Sequence, residues 1–362
     1  MIVAPAKAGG REFNVPCIQD LLDSRFRGND ELIATFVFFN SQLARRRFRV
    51  EALEVRVRPR LYSGTLRQFR RGGQQIRAGM NTTTSSLQAA HATSGFVTAD
   101  GLKLHYLDYG SAGRTPMLCV HGGAAHAHWF DFVAGGFSAD YHVRALDQRG
   151  HGDSPWSEPP VYTRQRLATD LHEVTEQLDL RDFVLVAHSM GGMVSLNYAA
   201  MFPGRLARLI IVDSTLHLTE DRASMMRERG ARQSSYETLD DLAARYKLMP
   251  AGSSAPPDVV KHIACHAGRQ SADGRWRHKF DRNVYSQRGS VDGIPCFAKI
   301  KVPTLLVKGA TSARITPEIY DEVKAVAPHV ELAEVAGSDH HVTLDNPAAF
   351  IEVVSAFLAR NA

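Results

Sequence analysis

The sequence predicts an α/β protein with a mostly parallel sheet and helices on both faces. Two observations carry that reading. From residue 95 onward, short apolar runs alternate with segments such as "QRLATDLHEVTEQLDL", whose apolar residues recur at helical spacing. "FVLVAHS" at 183–189 is a continuous apolar run without polar alternation, the pattern of a strand buried on both faces.

The first 79 residues stand outside this pattern. They hold 15 basic and seven acidic side chains, so although the chain is formally +5, the remainder is net negative. Between 41 and 79 there are eleven arginines and no lysine, with no sustained period of 3.6 or 2. "PAKAGG" and "LLDSRFRGNDEL" resemble an interspersed genomic repeat read through as protein, which makes Met80 the expected start. An Arg-rich targeting segment over 41–79 and a disordered arm are the alternatives; the acidic residues before position 31 fit targeting poorly. Residues 80–94, "MNTTTSSLQAAHATS", read as a polar linker. The basic balance belongs to this N-terminal segment, so no nucleic-acid partner is expected at the main domain.

The longest apolar stretches, such as "LIATFVFF" at 32–39, fall far short of the ~20 residues of a membrane-spanning helix. No secretory signal pattern is present. Cys17, Cys119, Cys265 and Cys296 have no CxxC spacing and read as free thiols of a reducing compartment, so a cytoplasmic location is expected.

Strand-like alternation begins near Phe96. "LKLHYLDYG" (102–110), "PMLCVHG" (116–122), "YHVRALDQRG" (141–150), "FVLVAHS" (183–189), "LARLIIVDS" (206–214), "VPTLLVKGA" (302–310) and "VELAEVAG" (330–337) follow as strands. The alternation breaks over 216–299, a stretch rich in Arg, Met, Ser and Asp with helical pieces such as "LDDLAARYKLM". Structureless connections beyond ~15 residues are uncommon, so this stretch is expected to be a helical cap between two sheet strands. The core would then comprise 95–215 and 300–362.

In "VLVAHSMGG" a serine stands between a strand and a helix. A nucleophile elbow needs this arrangement: the chain reverses so sharply that only small residues fit two places before and after the serine. Ala187 and Gly191 meet that demand around Ser189, and the following helix turns its N-terminus toward developing negative charge. A buried structural serine entering a helix would read the same way. "VHGGAAHAHW" places His121-Gly122-Gly123 after another strand, so the backbone N–H groups of Gly123 and Met190 are candidates for an oxyanion hole. A simple glycine turn is the bland alternative.

"LDQRGHGDS" at 146–154 reads as a structural turn braced by Asp147, Arg149 and His151. In "VAGSDHHVTLDNPAAF", His340 stands five residues before Asp345 on the loop after the last strand, with His341 as the alternative base. His121, His126 and His128 could suggest a metal cluster, but no carboxylate or cysteine ligand set accompanies them, and turn and pocket-lining roles with no metal are expected. Trp129 and Phe130 are expected to pack helix against sheet, and Trp276 and Arg277 to form a polar edge of the cap.

"HGGA", "DQRGHGDS", "AHSMGG" and "DHHVTLDNP", in this order and spacing, make residues 95–362 resemble the α/β-hydrolase-fold superfamily, in particular its capped serine esterases and lactonases. The resemblance implies an eight-stranded sheet, a Ser–acid–His triad in that chain order, and no cofactor. The commonest family pattern places the acid about three residues beyond Gly309, where this chain has Ser312, and no carboxylate occurs between Pro303 and Pro317. Asp213, ending "LIIVD", occupies a position where some members of the superfamily carry the acid, and it keeps the order Ser189, Asp213, His340. Capping of the turn into the cap is its bland alternative. Asp339 adjoins His340 too closely to orient it, and without any acid a weak dyad remains.

The expected reaction is hydrolysis of a small to medium carboxylic ester or lactone, a small-molecule partner, with no membrane partner. Hydrolysis of a C–C bond in a diketone-like substrate, and a low-turnover ligand receptor, are the alternatives. A serine at 189 argues against the superfamily's epoxide hydrolases and haloalkane dehalogenases, whose nucleophile is a carboxylate.

Overall fold

The computed structural model describes residues 88–230 and 234–362, together with two strand pairings nearer the N-terminus. In those pairings Ala6–Ala8 runs antiparallel to Arg11–Phe13, and Leu32–Phe38 to Glu51–Val57. The expectations for 1–79 otherwise fall outside the described residues. Among the described residues, no helix is long and apolar enough to cross a membrane.

Eight strands form the main sheet: β1 (Thr93–Ala99), β2 (Leu102–Asp108), β3 (Thr115–Val120), β4 (Tyr141–Leu146), β5 (Phe183–His188), β6 (Leu206–Val212), β7 (Thr304–Gly309) and β8 (Glu331–Val335). Their spatial order is β8-β7-β6-β5-β3-β4-β2-β1. Only β2 runs against the rest; the pairings among β3 to β8 are all parallel. The seven runs and the alternating stretch near Phe96 therefore became the eight strands. The strand order reverses between β3 and β5, and ligand sites of open α/β sheets lie beyond the carboxyl ends of the strands at such a reversal.

The unbroken apolar run of β5 has a direct physical reason. Phe183, Leu185 and Ala187 face one core layer, with Leu167, Leu171 and Val174 of α1 (Arg164–Gln177) and Val194 and Tyr198 of α2 (Met190–Met201). Val184 and Val186 face the other layer, with Trp129, Phe130, Phe350, Val354 and Phe357. Both faces are dry, so both parities of the strand must be apolar, and each large side chain so buried contributes ~1.5–3 kcal/mol. Trp129 and Phe130 are both buried in the core layer against the sheet, and Trp129 also lines the cavity that holds Ser189.

Helix starts follow local chemistry. Thr163 opens α1 by accepting from the Arg166 amide, and Asn346 opens the C-terminal helix Pro347–Arg360 by accepting from the Ala349 amide, with proline at the first helical position.

Between β6 and β7 the chain forms α3 (Glu220–Gly230), α4 (Leu239–Arg245) and α5 (Pro257–His266). It also contains two short strand pairs, His217–Leu218 with Val291–Asp292 and Gly268–Gln270 with Trp276–His278. The stretch is thus less purely helical than its sequence suggests. "GRQSADGRWRH" closes as a hairpin whose turn uses Gly274 at φ +79°, a conformation that disfavours other residues. Arg277 is held on that hairpin by two hydrogen bonds to Asp273, at 2.7 and 2.6 Å.

Candidate active site

Ser189 follows the last residue of β5 and directly precedes α2, with φ 53° and ψ −116°. Such a conformation is costly for a residue with a Cβ, by about 1–3 kcal/mol, and is held only where surrounding contacts enforce it. Here the Ser189 amide donates to the Val212 carbonyl at 2.9 Å, and the Ser214 hydroxyl donates to the Ser189 carbonyl at 2.8 Å. Gly191 is required by close approach: a Cβ there would meet the backbone oxygens of His121 and Val120 at 2.5 and 2.6 Å. Ala187 is tolerated on the other side because it points into the core layer under α2.

Asp213 follows β6, also at positive φ (44°). Its Oδ2 lies 2.7 Å from His340 Nδ1 and accepts from the Ser312 hydroxyl at 2.8 Å, while Oδ1 accepts from the Gly309 amide at 3.3 Å. Burial lifts the Asp213 carboxyl to about 6, against the Ser312 hydrogen bond and the Arg314 charge, which favour the carboxylate. Burial, then Arg314 and His341, push the His340 imidazole down to about 2. His340 is therefore neutral at ordinary pH, the state a general base requires.

Two groups crowd the same ring nitrogen, for Arg314 Nε also lies 2.7 Å from His340 Nδ1. One tautomer cannot serve both. With the proton on Nδ1 the ring donates to Asp213 and leaves Nε2 free, while Arg314 remains 3.5 Å from the carboxylate and donates to the Thr215 hydroxyl at 2.7 Å.

His341 is directed elsewhere. Its Nε2 lies 3.3 Å from the Pro250 carbonyl, and Asp213 pairs with His340 instead. His188 Nε2 donates to the His340 carbonyl at 2.8 Å and so fixes the backbone that carries the imidazole. Among the described residues, the Ser189 hydroxyl is in no hydrogen bond, and neither the Gly123 nor the Met190 amide donates to another residue. Ser189, His340, Gly123 and Met190 all line one cavity of about 690 Å³ beyond the carboxyl ends of β3 and β5. Trp276 and Arg277 do not line it.

The "DQRGHGDS" turn is tied by side chains. Asp147 accepts from the amides of Ala127 and Asp153 at 2.6 and 2.9 Å and from His105 Nδ1 at 2.7 Å. Arg149, wholly buried, donates to Asp170 at 2.7 Å and to Asp100 at 2.9 Å. His151 Nδ1 donates to the Arg149 carbonyl at 3.1 Å.

For the histidines near 121–128, one expectation needs correction. His128 does have a carboxylate beside it: Asp131 Oδ2 accepts from His128 Nδ1 at 2.9 Å and from His262 Nε2 of α5 at 2.6 Å, and Oδ1 accepts from the Tyr109 hydroxyl at 2.7 Å. With His266, these residues offer four ligand atoms within 4.8 Å of one another. Asp131 accepts these three hydrogen bonds, and the one from His262 ties α5 to the core. His121 Nδ1 donates to the Gly122 carbonyl, and none of His121, His126 and His128 lines the cavity. A further trio, His188, His340 and His341, lies in the site itself, where burial holds all three imidazoles below their ordinary value.

A family profile for the alpha/beta hydrolase fold matches residues 115–347, from β3 to the start of the C-terminal helix. The chain belongs to the alpha/beta hydrolase fold family. An esterase of Mycobacterium tuberculosis is 29% identical over 266 residues, covering 69% of this chain and 84% of the relative. A 3-oxoadipate enol-lactonase of Acinetobacter baylyi is 24% identical over 267 residues, covering 73% of this chain and 96% of the relative. The crystal structure of an E-2-(acetamidomethylene)succinate hydrolase superposes with a TM-score of 0.65 at 23% identity, covering 74% of this chain and all of that one. These likenesses make the chain a hydrolase-family member with an eight-stranded sheet of the family's type.

Three further residues of the candidate site carry little signal in the sequence. Ser312 stands where the family's commoner acid position falls, and its hydroxyl donates to the Asp213 carboxylate across from it. Arg314, two residues on, gave a signal only in hindsight: a cation in a loop that faces the histidine. Arg288 of the cap stretch had no local signal at all. A Cβ on Gly123 would collide with its Nη2.

Proposed function

We propose that the chain is a serine hydrolase that cleaves carboxylic esters or lactones through an acyl-enzyme. The observation that carries this reading is the 2.7 Å contact between Asp213 and His340 at the rim of the cavity that Ser189 also lines. In the proposed reaction the Asp213 carboxylate accepts from His340 Nδ1–H and so directs the lone pair of Nε2 toward the cavity. Nε2 takes the Ser189 proton as the oxygen attacks the substrate carbonyl, and the unpaired amides of Gly123 and Met190 receive the oxyanion. The imidazolium returns its proton to the leaving alcohol. Water then attacks the acyl-enzyme by the same route and restores the serine. The strained backbone of Ser189 supports the assignment, since strain of this kind is kept where it serves a site. The esterase and lactonase relatives support the ester or lactone bond as the target.

A fluorophosphonate probe tests the reading. Fast labelling of the folded protein that Ser189→Ala abolishes is the expected result. Absence of labelling in protein that is folded by circular dichroism overturns it and favours a ligand-binding role. A screen of p-nitrophenyl esters of increasing chain length beside several lactones then locates the substrate class.

A further inference from the structure

The cavity above Ser189 is lined by Arg164, Arg245, Lys247, Arg282, Arg288 and Arg314, and, among the described residues, by no aspartate or glutamate. Among the described residues, only Arg314 of these six has a carboxylate within ion-pair reach, and that carboxylate is Asp213. Elsewhere the chain neutralises its buried cations: Arg149 has both Asp170 and Asp100. A concentration of one sign in a concave, low-dielectric site raises the local concentration of the opposite sign.

Arg314 is engaged by His340 and Asp213, whereas Arg288 sits against the two residues proposed to bind the oxyanion. Arg288 Nη2 lies 2.9 Å from Met190 Sδ and its Nη1 3.4 Å from Met226 Sδ, and the guanidinium stacks over the Tyr285 ring at 4.5 Å. Thioether sulfurs and a ring face are weak partners for a group with five N–H donors. Met190 and Gly123, the residues it touches or would touch, are the two proposed oxyanion donors. Burial, opposed by Tyr285, and then the nearby charge of Arg164 weigh against the Arg288 cation, and a bound anion would offset the Arg164 charge.

We propose that the cavity takes acyl substrates bearing a second, anionic carboxylate, and that Arg288 holds that carboxylate a few atoms from the scissile carbonyl. The inference rests on the serine-hydrolase reading for its chemistry, but its binding step is independent of turnover. Arg288 is a specificity residue in this scheme: it contacts the substrate's acid group, while Ser189 and His340 act on the ester. Arg164 flanks it.

The test has a kinetic and a binding arm. In the first, monoethyl succinate, glutarate and adipate are compared with ethyl butyrate, pentanoate and hexanoate, which carry a methyl in place of the carboxylate. The half-esters are expected to exceed their neutral partners in kcat/KM by about tenfold or more, the scale of a charge-assisted hydrogen bond. Arg288→Met should collapse that ratio toward unity, and Arg288→Lys should keep part of it. Equal preference for both series in the wild type overturns the proposal while leaving the hydrolase reading intact. An equal loss on both series in Arg288→Met would place Arg288 on the oxyanion and likewise overturn it.

In the second arm, Ser189→Ala protein is titrated calorimetrically with succinate, glutarate and adipate. Saturable binding that Arg288→Met weakens by about tenfold supports the assignment even if no ester is cleaved, in which case only the hydrolase reading falls. No binding of any of the three, or binding that the substitution leaves unchanged, refutes it.

Discussion

Asp213 Oδ2 meets His340 Nδ1 at 2.7 Å across 127 residues of chain, and the Ser312 hydroxyl meets the same oxygen at 2.8 Å. The Asp213 carboxylate, the acid of the proposed triad, therefore reaches His340 from the end of β6, while a hydroxyl occupies the loop after β7, the commoner acid position implied by the family resemblance. The two positions converge on one point. Asp213→Asn is expected to lower ester turnover by two or more orders of magnitude, of the kind seen when an amide replaces the acid of a serine-protease triad. Adding Ser312→Asp to that variant should restore about tenfold or more, because the side chain at 312 already lies 2.8 Å from the atom that meets His340 Nδ1 and would bring a new carboxylate to it. Steady-state kinetics of the two variants checks both statements; an unchanged rate in Asp213→Asn removes Asp213 from the mechanism.

The pH profile follows from the same pair. Burial lifts the Asp213 carboxyl to about 6, and burial with the Arg314 charge holds His340 neutral far below its ordinary value. A carboxylate with a raised value takes up its proton as pH falls, and the His340 Nδ1–H then loses its acceptor. In the proposed mechanism kcat/KM should therefore be flat above neutrality and fall with a single-proton slope below about pH 6, a value belonging to the coupled pair. A profile that stays level down to pH 4.5 in folded enzyme would contradict it.

The histidine doublet gives a sharper discrimination. His341 lies on the Pro250 carbonyl and His340 on Asp213, so the two neighbours differ in role by the direction of one side chain. His340→Ala should lose about three orders of magnitude or more in kcat, by loss of the base, whereas His341→Ala should stay within about tenfold. Comparable losses from both would mean that the loop, and not one imidazole, sets the rate.

Much of this arrangement was legible because it is local. The seven apolar runs and the alternating stretch near Phe96 became eight strands, and the central β5, dry on both faces, needs both parities apolar, as in Phe183 to Ala187. The serine at the strand–helix junction was legible from the small residues that its backbone demands, and Gly191 has no room for a Cβ. What stayed hidden depends on convergence between distant segments. Arg288 is 98 residues from Met190 in the chain, and His262 is 131 residues from Asp131, so no local period reports either contact. Asp131 stood three residues from His128 all along, but its meaning came from α5 folding over it.

Gly191 also sets a limit on what the elbow tolerates. A methyl there would press on the carbonyl oxygens of Val120 and His121, which are backbone atoms fixed by β3 and the turn after it. Gly191→Ala is expected to cost about 3 kcal/mol or to prevent soluble expression, since overpacking against backbone cannot be relieved by a rotamer change. Urea denaturation of the purified variant reads the cost, and stability equal to wild type would show that α2 can shift.

The contact of α5 with the core carries its own pH signature. Against burial, which would raise it, hydrogen bonds from His128, His262 and Tyr109 draw the Asp131 carboxyl down to about 2. A carboxylate whose folded value lies below its unfolded one stabilises the protein fully above about pH 4 and loses that contribution as pH falls toward 2. With a side chain 4% exposed and a shift from 3.8 to about 2, the contribution at pH 7 is about 2 kcal/mol. Asp131→Asn should therefore lower the urea-unfolding free energy by about that amount at pH 7, with the gap to wild type narrowing between pH 4 and pH 3. The substitution should also loosen α5 first, seen as faster amide exchange at Val259 and Ile263, which are buried on the face it packs. A gap that does not change with pH would assign the loss to packing instead of charge.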